Sequence, residues 1–213
     1  MTADAWSERA EAYRESEAHR QGRDLELFAE WAAGGTVLDV ASGGGHVARR
    51  LREAGCEVVT CDPAPGMRPD VICRAEDLPF ADGSFDAVAC RVAAHHFEDP
   101  AVALHEFARV TNHLVLVADN LYLGEDGEEA DRLRDPTHVR NYSEDEWRAM
   151  FAAARLEVEA FEREPKRVEL EPWLERAGCV GKEAARVREL LADRVEDGHL
   201  RLDRGIFEAR KAG

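Results

Sequence analysis

The stretch VLDVASGGGHV, Val37 to Val47, decides the fold. TVLDV (36–40) is a short apolar run between Gly34-Gly35 and a string of small residues, the pattern of a strand buried on both faces. ASGGG then supplies a loop small enough for a ligand to approach the backbone. HVARRLREA follows as a helix with Val47, Leu51 and Ala54 on one apolar face. Gly55 closes it, and CEVVTCD (56–62) is the next strand. Strand, glycine-rich loop, helix and strand in this order open an α/β domain. The strands further on make it an open, mostly parallel sheet with helices on both faces.

Working outward, the first thirty residues have helical spacing, with Trp6, Ala10 and Tyr13 on one face and Leu25, Phe28 and Ala32 on another. On the other side the rhythm breaks. Pro63, Pro65 and Pro69 crowd the link from Asp62 to Ala75 and forbid a normal helix, so the helix after strand 2 is expected to be missing and DVIC to be at most a short strand. Either the N-terminal helices or a second copy of the chain, as a homodimer, is then needed to cover the exposed sheet edge. A strand over Phe85–Cys90 is followed by a helix capped by Asp99 with Pro100 in its first position. HLVLVADN (113–120) is another core strand, joined through a compressed turn, TNH (111–113).

Beyond Asn120, LGEDGEEADRLRD is polar and acidic and is expected on the surface. SEDEWRAMF carries a capping box, Ser143 with Glu146 three residues on. LEVEAFERE alternates as a strand, PWLERAG and KEAARVRELLADRV read as helices, and HLRLDRGIFEAR reads as a final edge strand or hairpin.

The 213 residues suit one domain, and 45% hydrophobic content is ample for a core. With 44 acidic against 28 basic residues the formal charge is −16, which excludes a general nucleic-acid or anionic-membrane binder. The greater share of that acidity falls within residues 1–120. No apolar run nears the roughly 20 residues that span a bilayer, and the acidic N-terminus lacks signal-peptide order, so a soluble cytoplasmic protein is expected. Cys56, Cys61, Cys73, Cys90 and Cys179 have no zinc-ligand spacing and read as small buried hydrophobes; no metal site is expected.

VLDVASGGGHV, with Asp62 closing the second strand, resembles motif I of class I S-adenosylmethionine-dependent methyltransferases. AEDLPFADGSFDAVACRVAAHHF is similar to the strand 4 region of the quinone-biosynthesis-type (type 11) group, and ESEAHRQGRDLELF and LRDPTHVRNYSEDEWRAMF look like small bacterial members of it. The resemblance covers most of residues 16–155. It implies a Rossmann-like methyltransferase sheet, S-adenosyl-L-methionine as cofactor and a small-molecule methyl acceptor. It divides the domain into an N-terminal helical lid (1–33), a cofactor-binding core (34–120) and an acceptor-side insert with the C-terminal part (121–213).

Carried onto this sequence, the resemblance runs Ala41, Ser42, Gly43 and Gly45 beneath the methionyl part of the cofactor, with Asp39 facing its ammonium. Asp62 takes the ribose and Pro63 packs on the adenine. Ala75 and Glu76 line the adenine edge, and Arg91 to Ala93 run beside the methionine. Ala41 replaces the usual first glycine. Arg74 replaces an acidic or amide residue that accepts from the adenine amino group, and arginine has no acceptor.

For the acceptor, His95 and His96 lie just past strand 4, where a histidine near neutral pH can act as a general base. His138 and Arg140, with Arg134 and Tyr142, follow strand 5, a usual place for acceptor contacts. Tyr13, His19 and Arg20 are lid candidates. Ordinary packing or surface ion pairs are the competing reading for all of these. Two other functions stay open. Gly43-x-Gly45-x-x-Ala48 with Asp62 matches a dinucleotide fingerprint and so an NAD-dependent oxidoreductase. Arg74 and the lost helix fit a non-catalytic cofactor-binding pseudoenzyme.

Overall fold

The structure, a computed structural model, describes residues 3–15, 20–32 and 34–212. Helices α1 (Ala3–Glu15) and α2 (Arg23–Ala32) precede β1 (Thr36–Val40), α3 (His46–Glu53) and β2 (Glu57–Cys61). Then come β3 (Phe85–Arg91), α4 (Pro100–Val110), β4 (Thr111–Asn120), α5 (Glu125–Arg134) and α6 (Glu144–Ala153). The chain ends with β5 (Leu156–Glu169), α7 (Leu170–Arg176), α8 (Gly181–Leu190), the two-residue β6 (Val195–Glu196) and β7 (His199–Lys211).

The sheet runs β2-β1-β3-β4-β7-β5, with β6 paired on β7. The pairs β1–β2, β1–β3 and β3–β4 are parallel, whereas β7 is antiparallel to both β4 and β5. Strand alternation sorts the core onto two faces. Val37, Ala87, Leu116 and Ile206 meet Leu25, Phe28, Val47 and Leu51 of α2 and α3. Leu38, Val88, Val115 and Phe207 meet Leu104, Phe107, Trp147 and Phe151 of α4 and α6. Both expected caps form: Asp99 accepts from the Ala101 and Val102 N–H groups, and Ser143 and Glu146 close a reciprocal box.

The missing helix is real. Between β2 and β3 the only helical turn is a 3₁₀ turn over Pro65–Met67, and Val71 makes a lone parallel bridge to Cys61 at the sheet edge. Helix α1 lies on that turn. The Gly66 N–H donates to Ser7 Oγ at 3.0 Å, Arg14 donates to the Gly66 carbonyl at 2.9 Å, and Ala10 packs with Ala64 and Met67. The N-terminal helix thus covers the gap.

Two expectations need correction. The acidic segment after β4 is only partly on the surface: it forms α5, with Glu125, Asp126 and Glu129 exposed but Ala130 fully buried and Glu128 2% exposed, because its inner face meets the 135–141 segment and α8. The final strand is not at an edge. β7 lies between β4 and β5 and is buried from Arg204 to Ala209, since the antiparallel partner β5 closes the sheet beyond it.

Candidate functional site

A cleft of about 770 Å³ opens at the carboxyl ends of the parallel strands, where open α/β sheets place ligands. β1 delivers Asp39 and the Ala41–Gly44 loop, β2 delivers Asp62 and Pro63, and β3 delivers Arg91, Val92 and Ala93. The loop is shaped by backbone geometry. Ala41, Gly43 and Gly45 all have left-handed φ (54°, 49° and 74°), and nothing lies within 4 Å of a Cβ built at Gly45. Val92, a β-branched residue, is also left-handed at φ 53°, a strained conformation.

Both carboxylates hold this loop. Asp62 accepts from the Gly43 N–H at 3.0 Å and the Ala64 N–H at 2.9 Å, one on each oxygen. Asp39 accepts from the Ala48 N–H at 3.0 Å, in the first turn of α3. Burial pushes the Asp39 carboxyl up to about 7; the Ala48 bond opposes this and the neighbouring Asp62 charge adds to it. Asp62 is raised as well, again by burial. Two adjacent buried acids at the strand ends therefore leave room for a cation.

Ala75 and Glu76 line the rim beyond Pro63. Arg74 also lines the cleft and pairs with Glu98 at 2.9 Å and Glu76 at 3.5 Å. Arg91 lines the cleft, but its guanidinium is locked on buried Asp24, which also takes Arg204 at 2.8 Å.

Further along, a short turn over Ala94–His96 presents His95 and His96. His95 Nδ1 lies 2.6 Å from Asp119 Oδ1, and Asp119 Oδ2 accepts the His95 backbone N–H at 3.0 Å. Burial alone would lower the His95 pKa, but the Asp119 charge and hydrogen bond outweigh it and hold the group above its usual value. His96 goes the other way, to about 3, because it is buried and sits beside His95, with ring centroids 4.1 Å apart. It bonds the Thr137 hydroxyl at 2.9 Å and takes Trp6 of α1 edge-on at 4.8 Å.

His138 lines the cleft with its ring 5.6 Å from that of His95, and its Nε2 lies 3.2 Å from Glu128. Glu128, Asp131 and His138 bring three ligand-type atoms within 4.8 Å of one another. Arg140, in contrast, is exposed and does not line the cleft; it pairs with Glu146 at 2.5 Å and lies over the Tyr142 ring. Of the lid candidates, Arg20 is exposed, while His19 and the Tyr13 side chain fall outside the described residues.

Trp6, Asp119, Lys166, Trp173 and Arg176 were missed from the sequence. Only Asp119 had a local signal, a carboxylate at the end of a core strand. The others reach the cleft through long-range packing of α1, β5 and α7.

A mostly parallel mixed sheet with a small-residue loop after β1, acids ending β1 and β2 and a cleft at its carboxyl strand ends fits the Rossmann-like methyltransferase class. A methyltransferase domain model matches residues 38–114. The chain is 34% identical over 199 residues to the uncharacterized methyltransferase YcgJ of Bacillus subtilis, covering 81% of this chain and 78% of that one. The solved YcgJ structure superposes with a TM-score of 0.80 at 27% identity, over 89% of this chain and 98% of that one. Demethylmenaquinone methyltransferase of Beutenbergia cavernae is 41% identical over 88 residues, 37% of each chain. The chain belongs to this methyltransferase family and is an S-adenosylmethionine-dependent methyltransferase, which sets aside the NAD-dependent oxidoreductase. No described helix is long and apolar enough to cross a membrane.

Proposed function

We propose that S-adenosyl-L-methionine lies along the β1–β2 side of the cleft and that a small-molecule acceptor lies beside His95. The observation that carries this is the opening of Asp39, Asp62 and His95, itself held by Asp119, onto one cleft. Donor chemistry matches the residues: a sulfonium and an ammonium are cations, and the strand ends are carboxylates. Asp39 faces the ammonium, and the two Asp62 oxygens, each with one lone pair still open, face the ribose hydroxyls. The Ala41, Ser42, Gly43 and Gly45 loop keeps side chains out of the way. Pro63, Ala75 and Glu76 form the adenine rim, and Arg91, held on Asp24, fixes the backbone that runs past the methionine.

When bound, the sulfonium offers a methyl group to an acceptor atom and leaves as neutral S-adenosylhomocysteine. The chain's own part is to exclude water, align the acceptor and take its proton. Asp119 fixes the His95 tautomer with the proton on Nδ1, so that Nε2 presents the lone pair to the cleft. His96, kept neutral, packs between His95 and Trp6, and His138 braces the other side of His95. Arg140, exposed and paired with Glu146, takes no part in this reading.

A crystal structure with S-adenosylhomocysteine tests the placement. The ribose is expected on Asp62, with His95 on the wall of the space beside the sulfur. A ribose held elsewhere, or His95 screened from that space, overturns it. Micromolar binding of the same ligand by calorimetry is the parallel test that the cofactor end of the cleft is intact.

A further inference from the structure

The acceptor end of the cleft is built differently from the cofactor end. Its wall comes from the antiparallel extension of the sheet and α7. Lys166 and Val168 project from one face of β5, and Leu202, opposite Lys166 on β7, lies on the same face. Trp173 and Arg176, three residues apart on α7, complete the wall. The Arg134 Cζ lies over the Trp173 ring, 4.1 Å from its centroid, and its Nε–H donates to the Trp173 carbonyl at 3.1 Å.

In a chain of net charge −16 this is an unusual gathering of cations. Most arginines here are spent on carboxylates, often two at a time. Arg176 is not: it is half-buried, lines the cleft, and has no hydrogen bond or ion pair among the described residues. Lys166 pairs with Glu164 at 3.2 Å, its one carboxylate among the described residues. Asp135, an acid on the same cleft, is already engaged by Arg9 and by the Thr137 N–H and hydroxyl. A half-buried guanidinium without a carboxylate among the described residues, on the same cleft as an ammonium and an apolar surface, is matched by an anion attached to an apolar body.

Resting on the cofactor placement above, we propose that the methyl acceptor is an anionic small molecule, a carboxylate or phosphate on an apolar or aromatic body. Its anion sits between Arg176 and Lys166, its body lies on Trp173, Val168 and Leu202, and its reacting atom points to His95.

The test is calorimetry on the full chain saturated with S-adenosylhomocysteine, using benzoate, phenyl phosphate and neutral benzamide as probes. At least one anion is expected to bind tenfold or more tighter than benzamide, and the better of the two identifies the headgroup. An Arg176→Gln, Lys166→Gln variant is expected to erase that ratio while S-adenosylhomocysteine affinity stays within about twofold, which also reports that the variant is folded. Benzamide binding as tightly as both anions, failure of all three probes, or a variant that keeps the ratio overturns the proposal. Wild-type protein that does not bind S-adenosylhomocysteine overturns the cofactor placement, and this proposal falls with it.

Discussion

Asp39 is held in a state that costs stability and favours a cation. Its carboxyl sits at about 7 in the fold, against roughly 4 in an unfolded chain. The fold therefore binds this proton more tightly than the unfolded state does. No penalty exists below the unfolded value; stability is lost as pH climbs from about 4 to 7, by at most about 4 kcal/mol. Asp39→Asn is thus expected to raise the melting temperature of the ligand-free protein at pH 8 and leave it unchanged at pH 4. The same variant should lose at least about tenfold in S-adenosylhomocysteine affinity at pH 8, because a carboxylate–ammonium contact is gone. Differential scanning fluorimetry and calorimetry read the two effects. An Asn variant that melts no higher at pH 8 contradicts the buried-acid account. His95 makes the complementary case. Its titration, followed by ¹⁵N-imidazole NMR, should lie above 6.5 in the wild type and fall in Asp119→Asn, since burial then acts without the opposing charge. An unchanged midpoint in the variant means that Asp119 does not tune this base.

At the scale of elements, α1 substitutes for the helix that the prolines of residues 63–69 exclude. The fit is tight at Gly66, where an added Cβ would stand 2.6 Å from the Ser7 Cα. Gly66→Ala is expected to lift α1 off the 65–67 turn, speed proteolysis within the first twenty residues and weaken S-adenosylhomocysteine binding by about tenfold. Trp6 would then leave His96. Limited proteolysis with N-terminal sequencing checks it; an unchanged cleavage rate would mean that α1 covers nothing. The elements legible in the sequence were those specified locally: the β1–loop–α3 unit by its small residues, α4 by Asp99-Pro100, α6 by Ser143 and Glu146. Helix α5 was misread because its inner face is polar. Glu128 is buried not by an apolar stripe but by His138, Arg132 and the Asn141 N–H, partners that hydrophobic periodicity cannot register. Strand β7 reads as an edge from its charges, yet Arg204 and Glu208 lie buried along it, with Asp24 pairing Arg204 and Arg210 pairing Glu208.

Across the whole molecule, what the sequence hid is pairing over long separations. The residues expected on the cofactor side cluster in a few short loops at the strand ends, so the sequence alone places them together on the cleft. On the other side His95, His96 and His138 were legible as candidates, but Asp119, 24 residues from His95, and the Lys166–Arg176 wall were not, because long-range strand pairing brings them there. One buried network ties these parts together. Asp24 at the start of α2 holds Arg91 at the end of β3 at 2.7 Å and Arg204 of β7 at 2.8 Å. It thereby links the N-terminal helices, the parallel core and the C-terminal extension. Burial opposes its ionisation, but Arg204 and Arg91 win and lower its pKa to about 2. This contribution is present above the unfolded value of about 4 and is lost as pH falls through about 2. Removing the carboxylate would strand two buried guanidinium groups, so Asp24→Ala is expected to cost about 3–5 kcal/mol in urea unfolding near pH 7, far more than a surface pair. If the three parts share one core, the variant unfolds in a single transition shifted to lower urea. Two separated transitions, with the C-terminal part melting first, would show that Asp24 merely clips together units that fold apart.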